Sequence, residues 1–279
     1  MLDLSACADL RWLTIVVADI AATGLAQSPI LVGALARDIL LLHAHGIDTG
    51  RATEDADLAI AVASWEEYGA ARDRLISTGA FAPSRKGRQR VQHREFGWVD
   101  LIPFGGLERP DGTIAWPPDA DPVMNVLGYQ EASATAIQTA LPGGQDAFVV
   151  SLPMLIVLKL LAWEDRHTYA PRKDADDLML MLGKYLDAGN LPHLPADAVE
   201  LLGDAFDYGS AGALLAGREA NALLSEFGAR GKTVRSRVAA IVRREADSQG
   251  GLALAYEMAG TNEEEARRLL AALGLGLGF

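Results

Sequence analysis

The sequence predicts an α+β fold, in which a mixed sheet with helices over residues 1–150 is followed by an all-helical domain over residues 151–279. Three observations predict it. Up to residue 150, short apolar runs alternate with segments whose apolar residues have helical spacing. Two strongly helical segments follow at 152–166 and 173–187. From 195 to the end, nearly every stretch has helical spacing.

The helices of the first domain are predicted from apolar spacing together with their end signals. They cover 8–25, 34–46 and 65–79. Gly46 is a typical residue just beyond a helix C-terminus. Ser64, with Glu67 three residues later, forms the pattern of a capping box and therefore predicts where the third helix begins.

The strands of the first domain are predicted from short apolar runs between turn residues. They cover 30–32, 57–62 and both arms of a hairpin at 89–104, with weaker candidates at 132–140 and 147–152. The hairpin turns at Glu95-Phe96-Gly97. The segment 107–122 is rich in Pro, Asp and Gly and is predicted to be a loop. In the second domain, breaks between helices are predicted at 207–212, 227–231, 248–251 and 259–262.

Composition limits the classes of partner. The net charge of the 279 residues is -12, so bulk charge does not attract the chain to nucleic acid or to an anionic membrane. The single cysteine, Cys7, cannot form an intrachain disulfide, which is typical of a reducing cytoplasm. We expect no signal peptide and no membrane span, because the sequence has neither a basic-then-apolar start nor an apolar run of about 18 residues.

Two aspartates stand at the start of the apolar strand in "RATEDADLAIAV", residues 51–62. Burying an unpaired charge costs several kcal/mol or more, so Asp55 and Asp57 either face water or share a cation. Residues i and i+2 of a strand point to the same face, so the two carboxylates project together. Asp100, in "GWVDLIPF", is another acid within an apolar strand. Three such carboxylates are ligands that Mg²⁺ prefers.

An Asp-x-Asp pair alone is a weak signal, because acidic pairs at strand ends are usually solvated. Two other enzyme classes use such a pair. Haloacid-dehalogenase-type phosphatases carry it after an apolar strand, whereas polar residues precede Asp55 here. Nucleotide-sugar glycosyltransferases usually carry a sugar-nucleotide domain before it, and none is evident in this sequence.

The motifs in order favour a third class. "LVGALARD" (31–38), "RATEDADLAI" (51–60) and "VDLIPFGGLE" (99–108) resemble the polymerase-β-like nucleotidyltransferase superfamily. The chain more closely resembles the AbiEii/AbiGii-type nucleotidyltransferases, some of which are toxins of toxin–antitoxin pairs. That family adds two motifs in its helical half, matched here by "LKLLAWEDR" (158–166) and "RKDADDL" (172–178). The resemblance covers about residues 29–185.

The resemblance implies an NTP-dependent transferase that moves a nucleoside monophosphate to an acceptor hydroxyl and releases pyrophosphate. Two Mg²⁺ ions about 4 Å apart, or Mn²⁺ in their place, would clamp the attacking and leaving oxygens. The implied metal ligands are Asp55, Asp57 and Asp100. The implied nucleotide-binding residues are Gly33, Ala34, Lys159, Arg166 and Lys173. Asp174 is implied to be a general base or an orienting group.

Several of these residues also have a purely structural interpretation. Lys159 in a helix is more often a surface lysine whose stem packs on apolar neighbours. Salt bridges at helix ends would account equally well for Arg166, Lys173, Asp174 and Asp177. Ala34 departs from the superfamily, which usually has Gly-Gly or Gly-Ser at this position. Phosphate binding would then depend on backbone N–H groups, and the alternative function is a nucleotide-binding module with little or no turnover.

A basic segment follows in the second domain. "ARGKTVRSRVAAIVRR" (229–244) carries six cations that helical spacing could align as one stripe. The stripe is either a solvated helix face or a contact for RNA backbone, with Arg235, Arg237 and Arg244 as the candidate residues. An RNA 3′ end such as that of tRNA is therefore the expected acceptor, and a protein hydroxyl or a small molecule is the alternative. A cognate antitoxin is a further expected partner.

Overall fold

The computed structural model describes residues 1–50, 53, 55–85, 87–169, 172–247, 253–260 and 262–279. Arg51, Ala52 and Glu54, which precede the Asp-x-Asp pair, and the predicted helix break at 248–251 lie outside the described residues. The described chain divides into two compact units. The sheet unit comprises Met1–Ile39 and Gly50–Ser151, and the helical unit comprises Leu40–Thr49 and Leu152–Phe279.

The sheet unit is built on a mixed sheet of eight strands within the described residues. In chain order they are β1 Leu2–Asp3, β2 Ile30–Val32, β3 Ala56–Val62, β4 Phe81–Pro83, β5 Arg90–His93, β6 Gly97–Gly105, β9 Ile137–Ala140 and β10 Asp146–Val149. Their order across the sheet is β1-β9-β10-β2-β3-β6-β5-β4. Between β6 and β9 in sequence, β7 Thr113–Ala115 and β8 Val123–Asn125 form a separate antiparallel pair.

The centre of the sheet combines parallel and antiparallel pairs. β3 is antiparallel to β2 and parallel to β6, and β6 is antiparallel to β5. Because β3 has a neighbour on each side and lies in the middle of the sheet, five of its seven residues are buried. This explains why its sequence after Asp57 is an almost continuous apolar run.

Helices and turns complete the sheet unit. The helices are α1 Arg11–Ala21, α2 Gly33–Asp38, α3 Trp65–Ser77 and α4 Tyr129–Ala134. A π-helical turn at Ile39–His43 follows α2 in the chain, and its residues from Leu40 onward belong to the helical unit. Short 3₁₀ turns lie at Ala8–Leu10 and Pro142–Gly144.

The helical unit contains seven α-helices in the described residues. They are α5 Leu152–Arg166, α6 Lys173–Gly183, α7 Ala198–Leu202, α8 Tyr208–Ser225, α9 Gly228–Ala246, α10 Ala253–Ala259 and α11 Glu263–Leu277. α5 is the most deeply buried of them, since each residue from Leu152 to Leu161 is buried. Short 3₁₀ and π turns lie between α6 and α8, at Leu186–Asn190, Leu191–His193 and Gly203–Ala205.

The structure confirms several predicted elements. The strands at 30–32 and 57–62 are present, and the hairpin is formed by β5 and β6. The Ser64 side chain accepts a hydrogen bond from the Glu67 N–H at 3.3 Å, which is half of the predicted capping box. The Glu67 carboxylate accepts from the Ala63 N–H at 2.6 Å, one residue earlier than in the usual box.

Three predictions about local structure were wrong. The predicted loop 107–122 contains β7, whose partner β8 follows immediately after it. The first three residues of the candidate strand 132–140 belong to the end of α4, and the strand β9 begins only at Ile137. The predicted break at 207–212 is the beginning of α8, because the Asp207 carboxylate accepts from the Ser210 N–H at 2.8 Å and caps the helix.

No helix in the described part of the chain has both the length and the apolar character needed to cross a membrane.

Candidate functional site

The pairing of the central strands brings predicted site residues together. Asp57 on β3 pairs with Val32 on β2 and with Asp100 on β6. Asp100 in turn pairs with Arg90 on β5. Residues paired across neighbouring strands project to the same face of the sheet, so Asp57, Asp100 and Arg90 lie side by side. Asp55 lies just before β3, within 3.4 Å of the Arg90 guanidinium, and we call these three aspartates the carboxylate cluster.

The backbone at Gly33 lies directly against the Asp57 carboxylate. Gly33 is the first residue of α2 and has a φ of +70°, in the left-handed region that favours glycine. A Cβ atom at this position would lie 2.0 Å from Asp57 Oδ2. The position therefore requires glycine for two reasons, namely its φ angle and the close approach of the carboxylate. Ala34, which follows, is buried and brings only a methyl group.

Arg90 also belongs to this site, although none of the sequence motifs includes it. Its Nε donates to Asp100 Oδ1 at 2.8 Å and its Nη2 donates to Asp100 Oδ2 at 2.7 Å, a bidentate ion pair. The same Nη2 lies 3.4 Å from Asp55 Oδ2. The hydrogen bonds to Asp100, followed by the charges of all three aspartates, raise the pKa of Arg90 despite its partial burial.

The signal that identifies Arg90 is the register of the hairpin. In an antiparallel pair, the positions of facing residues have a constant sum, and here Val91 faces Val99 while His93 faces Gly97. A turn centred on residue 95 therefore places Arg90 opposite Asp100. The predicted turn at Glu95-Phe96-Gly97 is centred one residue later, and from that centre the same rule would have placed Gln92 opposite Asp100.

Whether the carboxylate cluster suits a divalent cation depends on Arg90. The oxygen donors are those that Mg²⁺ prefers, and the strand pairing holds two of them at adjacent positions. Both oxygens of Asp100 are nevertheless engaged by Arg90. Across the described ranges, no three His, Cys, Asp or Glu side chains are grouped so that they could hold a metal ion. The carboxylates therefore fit Mg²⁺ by donor type, but in the described arrangement they are not grouped as a metal site and Asp100 is held by Arg90.

The helical unit contains a separate group of charges, which we call the buried ion cluster: Lys159, Arg166, Asp174 and Asp177. The Lys159 Nζ lies 3.0 Å from Asp174 Oδ1 and 2.5 Å from Asp177 Oδ2. Arg166 donates from Nη2 to Asp174 Oδ1 at 2.6 Å and from Nε to Asp174 Oδ2 at 2.5 Å. The Lys159 side chain is 4% exposed and those of Asp174 and Asp177 are 1% exposed.

These contacts settle two of the structural interpretations. The hypothesis that Lys159 is a surface lysine is wrong, because α5 buries it next to two carboxylates. Salt bridges of Arg166, Asp174 and Asp177 are confirmed. Lys173 is exposed at the first position of α6.

Asp174 is positioned as an acceptor of ion pairs. Burial alone would raise its pKa, but the hydrogen bond from Arg166 and the charges of Lys159 and Arg166 outweigh burial and hold the pKa below its ordinary value. A carboxylate with a lowered pKa is a weak proton acceptor. The role of Asp174 as a general base stays a prediction from the family resemblance.

The start of α6, which carries Asp174, is held by a contact from α10. The Glu257 carboxylate accepts from the Trp163 Nε1 at 2.8 Å and from the backbone N–H of Arg172 at 3.2 Å. Arg172, the residue just before α6, has a φ of +70°, which is uncommon for a residue other than glycine. These hydrogen bonds fix the backbone from which Asp174 reaches the buried ion cluster.

The basic segment 229–244 lies on α9, but its cations do not form the single predicted stripe. An α-helix turns about 100° per residue. Arg230, Arg237 and Arg244 repeat every seven residues on one flank, whereas Lys232 and Arg243 lie on the opposite flank. The apolar face runs between the two flanks, and its buried residues are Gly231, Val234, Val238, Ile241 and Val242. The cations therefore lie along the two edges of the exposed face, with uncharged residues such as Ser236 and Ala240 between them, and do not form the single predicted stripe.

The three candidate RNA contacts already have partners within the helical unit. The Arg237 Nε lies 2.7 Å from one oxygen of Glu164, and the Arg244 Nη1 lies 3.2 Å from the other. Arg235 donates to the side-chain oxygen of Asn221 at 2.9 Å. An RNA backbone would therefore compete with Glu164 for two of these three arginines.

Comparison with known proteins does not assign this chain to a family. No family model matches the sequence, and no curated protein matches it. Among solved structures, the chain is similar to an antigenic nucleotidyltransferase-like protein from Paracoccidioides brasiliensis. The two sequences are 17% identical, the match covers 71% of this chain and 89% of that chain, and the TM-score is 0.42. A likeness at this TM-score is too weak to assign a fold or an activity.

Proposed function

We propose that this protein is a Mg²⁺-dependent nucleotidyltransferase that moves a nucleoside monophosphate from an NTP to an acceptor hydroxyl. The observation that carries the proposal is the carboxylate cluster. Asp57 and Asp100 occupy paired positions on β3 and β6, and Asp55 lies two residues before Asp57. The resemblance of five motifs, in order, to the AbiEii/AbiGii-type nucleotidyltransferases supports the same reaction.

In this reaction the acceptor hydroxyl gives up its proton to solvent, its oxygen forms a bond to the α-phosphorus, the bond from that phosphorus to the bridging oxygen breaks, and pyrophosphate leaves. The protein contributes position and charge more than covalent chemistry. Asp55, Asp57 and Asp100 would hold the metal. Bound Mg²⁺ would neutralise the phosphate oxygens and favour the deprotonated acceptor hydroxyl. Glycine at position 33 leaves room for the Asp57 carboxylate, because any side chain there would collide with it.

The remaining nucleotide contacts are expectations from the resemblance. Gly33 and Ala34 would meet phosphate through backbone N–H groups. Lys159 and Arg166 are engaged with Asp174 in the buried ion cluster, so contact with a triphosphate would require them to exchange partners. Lys173 is exposed, so a phosphate would reach it from the surface of the helical unit.

An alternative function is a nucleotide-binding module with little or no turnover. Ala34 favours it, because its methyl group replaces the serine hydroxyl that can contact phosphate in the superfamily. The bidentate contact of Arg90 with Asp100 favours it too, because that contact competes with a metal for the same oxygens. Nucleotide binding without transfer of label separates this module from the enzyme.

We propose RNA, for example the 3′ end of tRNA, as the acceptor, supported by the family resemblance and by the cations of α9. A protein hydroxyl or a small molecule is the alternative acceptor. A cognate antitoxin is proposed as a protein partner from the resemblance alone.

The test is transfer of label from each α-³²P-labelled NTP to total RNA, with Mg²⁺ or Mn²⁺ present. The parent should label RNA, and Asp57→Asn should reduce labelling by about a hundredfold or more, since removal of a group that stabilises charge in the reaction has this order of effect. Asp73→Asn, at an exposed position on α3, is the control and should behave as the parent. Thermal melting checks that both variants are folded.

Each distribution of label has a distinct meaning. Label on protein instead of RNA would show that the acceptor is a protein hydroxyl, and the proposed reaction would otherwise be unchanged. Bound NTP without label anywhere would support the module. Full activity of the Asp57→Asn variant would overturn the metal assignment.

A further inference from the structure

We propose that Arg90 is an internal counter-ion that occupies the cation position of the carboxylate cluster and sets how tightly the cluster binds a divalent metal. The inference deepens the proposed function and rests on it. The Arg90 contacts that carry the inference are independent of the family motifs, because Arg90 belongs to none of them.

The geometry of the Arg90 contacts supports this inference. Arg90 contacts Asp100 through both of its fork nitrogens and reaches Asp55 with one of them, so a single guanidinium bridges two of the three proposed metal ligands. A metal held by all three carboxylates would need at least one of the Asp100 oxygens. Arg90 and a divalent cation therefore compete for the same atoms.

The charges of the three carboxylates and of Arg90 support the same inference. The three carboxylates carry a formal charge of about -3, and Arg90 reduces it to about -2. Charges this close interact strongly at the effective dielectric constant of a protein surface. Arg90 therefore stabilises the cluster when metal is absent and repels the metal when it arrives. Without Arg90, the cluster is less stable empty and attracts a divalent cation more strongly.

The surroundings of Arg90 also offer its guanidinium a second contact. It is the first residue of β5, its side chain is 25% exposed, and only the short strand β4 lies beyond β5 in the sheet. Its guanidinium carbon lies 5.7 Å from the centre of the Trp98 ring, within the range of a cation–π contact. Arg90 can thus release Asp100 and remain over Trp98.

The experiment measures metal binding without nucleotide, so that its result does not depend on turnover. Mn²⁺ binding by calorimetry is compared for the full-length parent, Arg90→Met and the control Arg94→Met, an exposed arginine in the turn of the same hairpin. Arg90→Met should bind Mn²⁺ about tenfold tighter or more, because a neighbouring positive charge is removed. Its melting temperature should be lower than the parent's in EDTA and should recover more on addition of Mg²⁺. Arg94→Met should match the parent in both measurements.

Two further variants make each outcome decisive. Arg90→Lys keeps the charge but loses the fork, so it should bind Mn²⁺ between the parent and Arg90→Met, and it replaces Arg90→Met as the test if that variant does not fold. Adding Asp57→Asn to Arg90→Met should abolish the gain, which places the metal at the carboxylate cluster. Equal Mn²⁺ affinity of the parent and the Arg90 variant would overturn the inference.

Failure of the inference and failure of the proposed function give different results. If Asp57→Asn weakens Mn²⁺ binding by the parent while Arg90→Met does not strengthen it, the metal site at the carboxylate cluster is supported. The counter-ion role of Arg90 is then overturned. If Asp57→Asn leaves Mn²⁺ binding unchanged in both backgrounds, the metal is not at this cluster and both proposals fail.

Discussion

At the residue scale, Lys159 shows how burial changes the meaning of a charge. Its ammonium group lies within ion-pair distance of Asp174 and Asp177, and all three side chains are almost fully buried. A buried ion pair contributes little compared with apolar residues of similar shape, but removal of one partner leaves an uncompensated buried charge. Lys159 therefore matters to the stability of the helical unit whether or not it contacts a nucleotide.

Lys159→Ala should lower the free energy of unfolding by about 3 kcal/mol or more, the usual cost of breaking a buried pair. Urea denaturation followed by circular dichroism measures this decrease. Lys184→Ala is the matched control, because Lys184 forms an exposed pair with Asp187 on the same unit and should cost less than about 1 kcal/mol. If Lys159→Ala is as stable as the control but binds NTP more weakly, Lys159 is a nucleotide ligand and not a structural cation.

At the element scale, α8 and α11 pack with their backbones in close approach. A Cβ atom at Gly217 on α8 would lie 2.3 Å from the carbonyl oxygen of Leu273, and one at Gly276 on α11 would lie 2.1 Å from that of Leu214. Glycine is otherwise a poor helix former, so its use at both facing positions reflects this packing. The close approach buries the apolar faces of both helices.

Gly217→Ala should destabilise the protein by about 1–3 kcal/mol, because the clash with backbone atoms forces the two helices apart and outweighs the better helix propensity of alanine. Thermal melting and urea denaturation measure the change. Gly183→Ala on α6 is the control, since a Cβ there meets no atom within 4 Å, and its stability should be unchanged or slightly higher. Equal stability of the two variants would contradict the packing described for α8 and α11.

At the scale of the whole molecule, a net charge of -12 makes any contact with RNA depend on local cations. α9 carries Arg235, Arg237 and Arg244, but the last two share Glu164. The Glu164 side chain is only 16% exposed, and Arg244 also pairs with the buried Glu245, so a phosphate would have to displace partly buried carboxylates. RNA binding through α9 would then release counter-ions and weaken steeply with salt.

Changing Arg235, Arg237 and Arg244 to Gln should flatten the dependence of log affinity for single-stranded RNA on log salt by about 0.7 for each phosphate that is no longer neutralised. Filter binding at several salt concentrations measures the slope. Arg267→Gln with Arg268→Gln, on α11, is the control for a general change in charge and should leave the slope almost unchanged. If the α9 triple variant keeps the parent slope and affinity, a protein or small-molecule acceptor becomes the better proposal.

Local patterns predicted much of the fold. The apolar runs of β2 and β3, the turn between β5 and β6, and the residue that caps α3 are local signals, which can be read along the chain without knowledge of distant partners. The hairpin β7–β8 was missed because its Pro, Asp and Gly residues are typical of loops, and its pairing depends on a partner outside the segment.

The sequence by itself determined that Asp57 and Asp100 stand within apolar strands and needed partners, whereas for Lys159 it favoured a position at the surface. Only the tertiary structure decided what those partners are. Strand pairing places Arg90 against Asp100 and the Gly33 backbone against Asp57, while packing within the helical unit buries Lys159 between two carboxylates. The physical reason is that desolvation and ion pairing depend on distances between residues far apart in sequence, which periodicity along the chain does not encode.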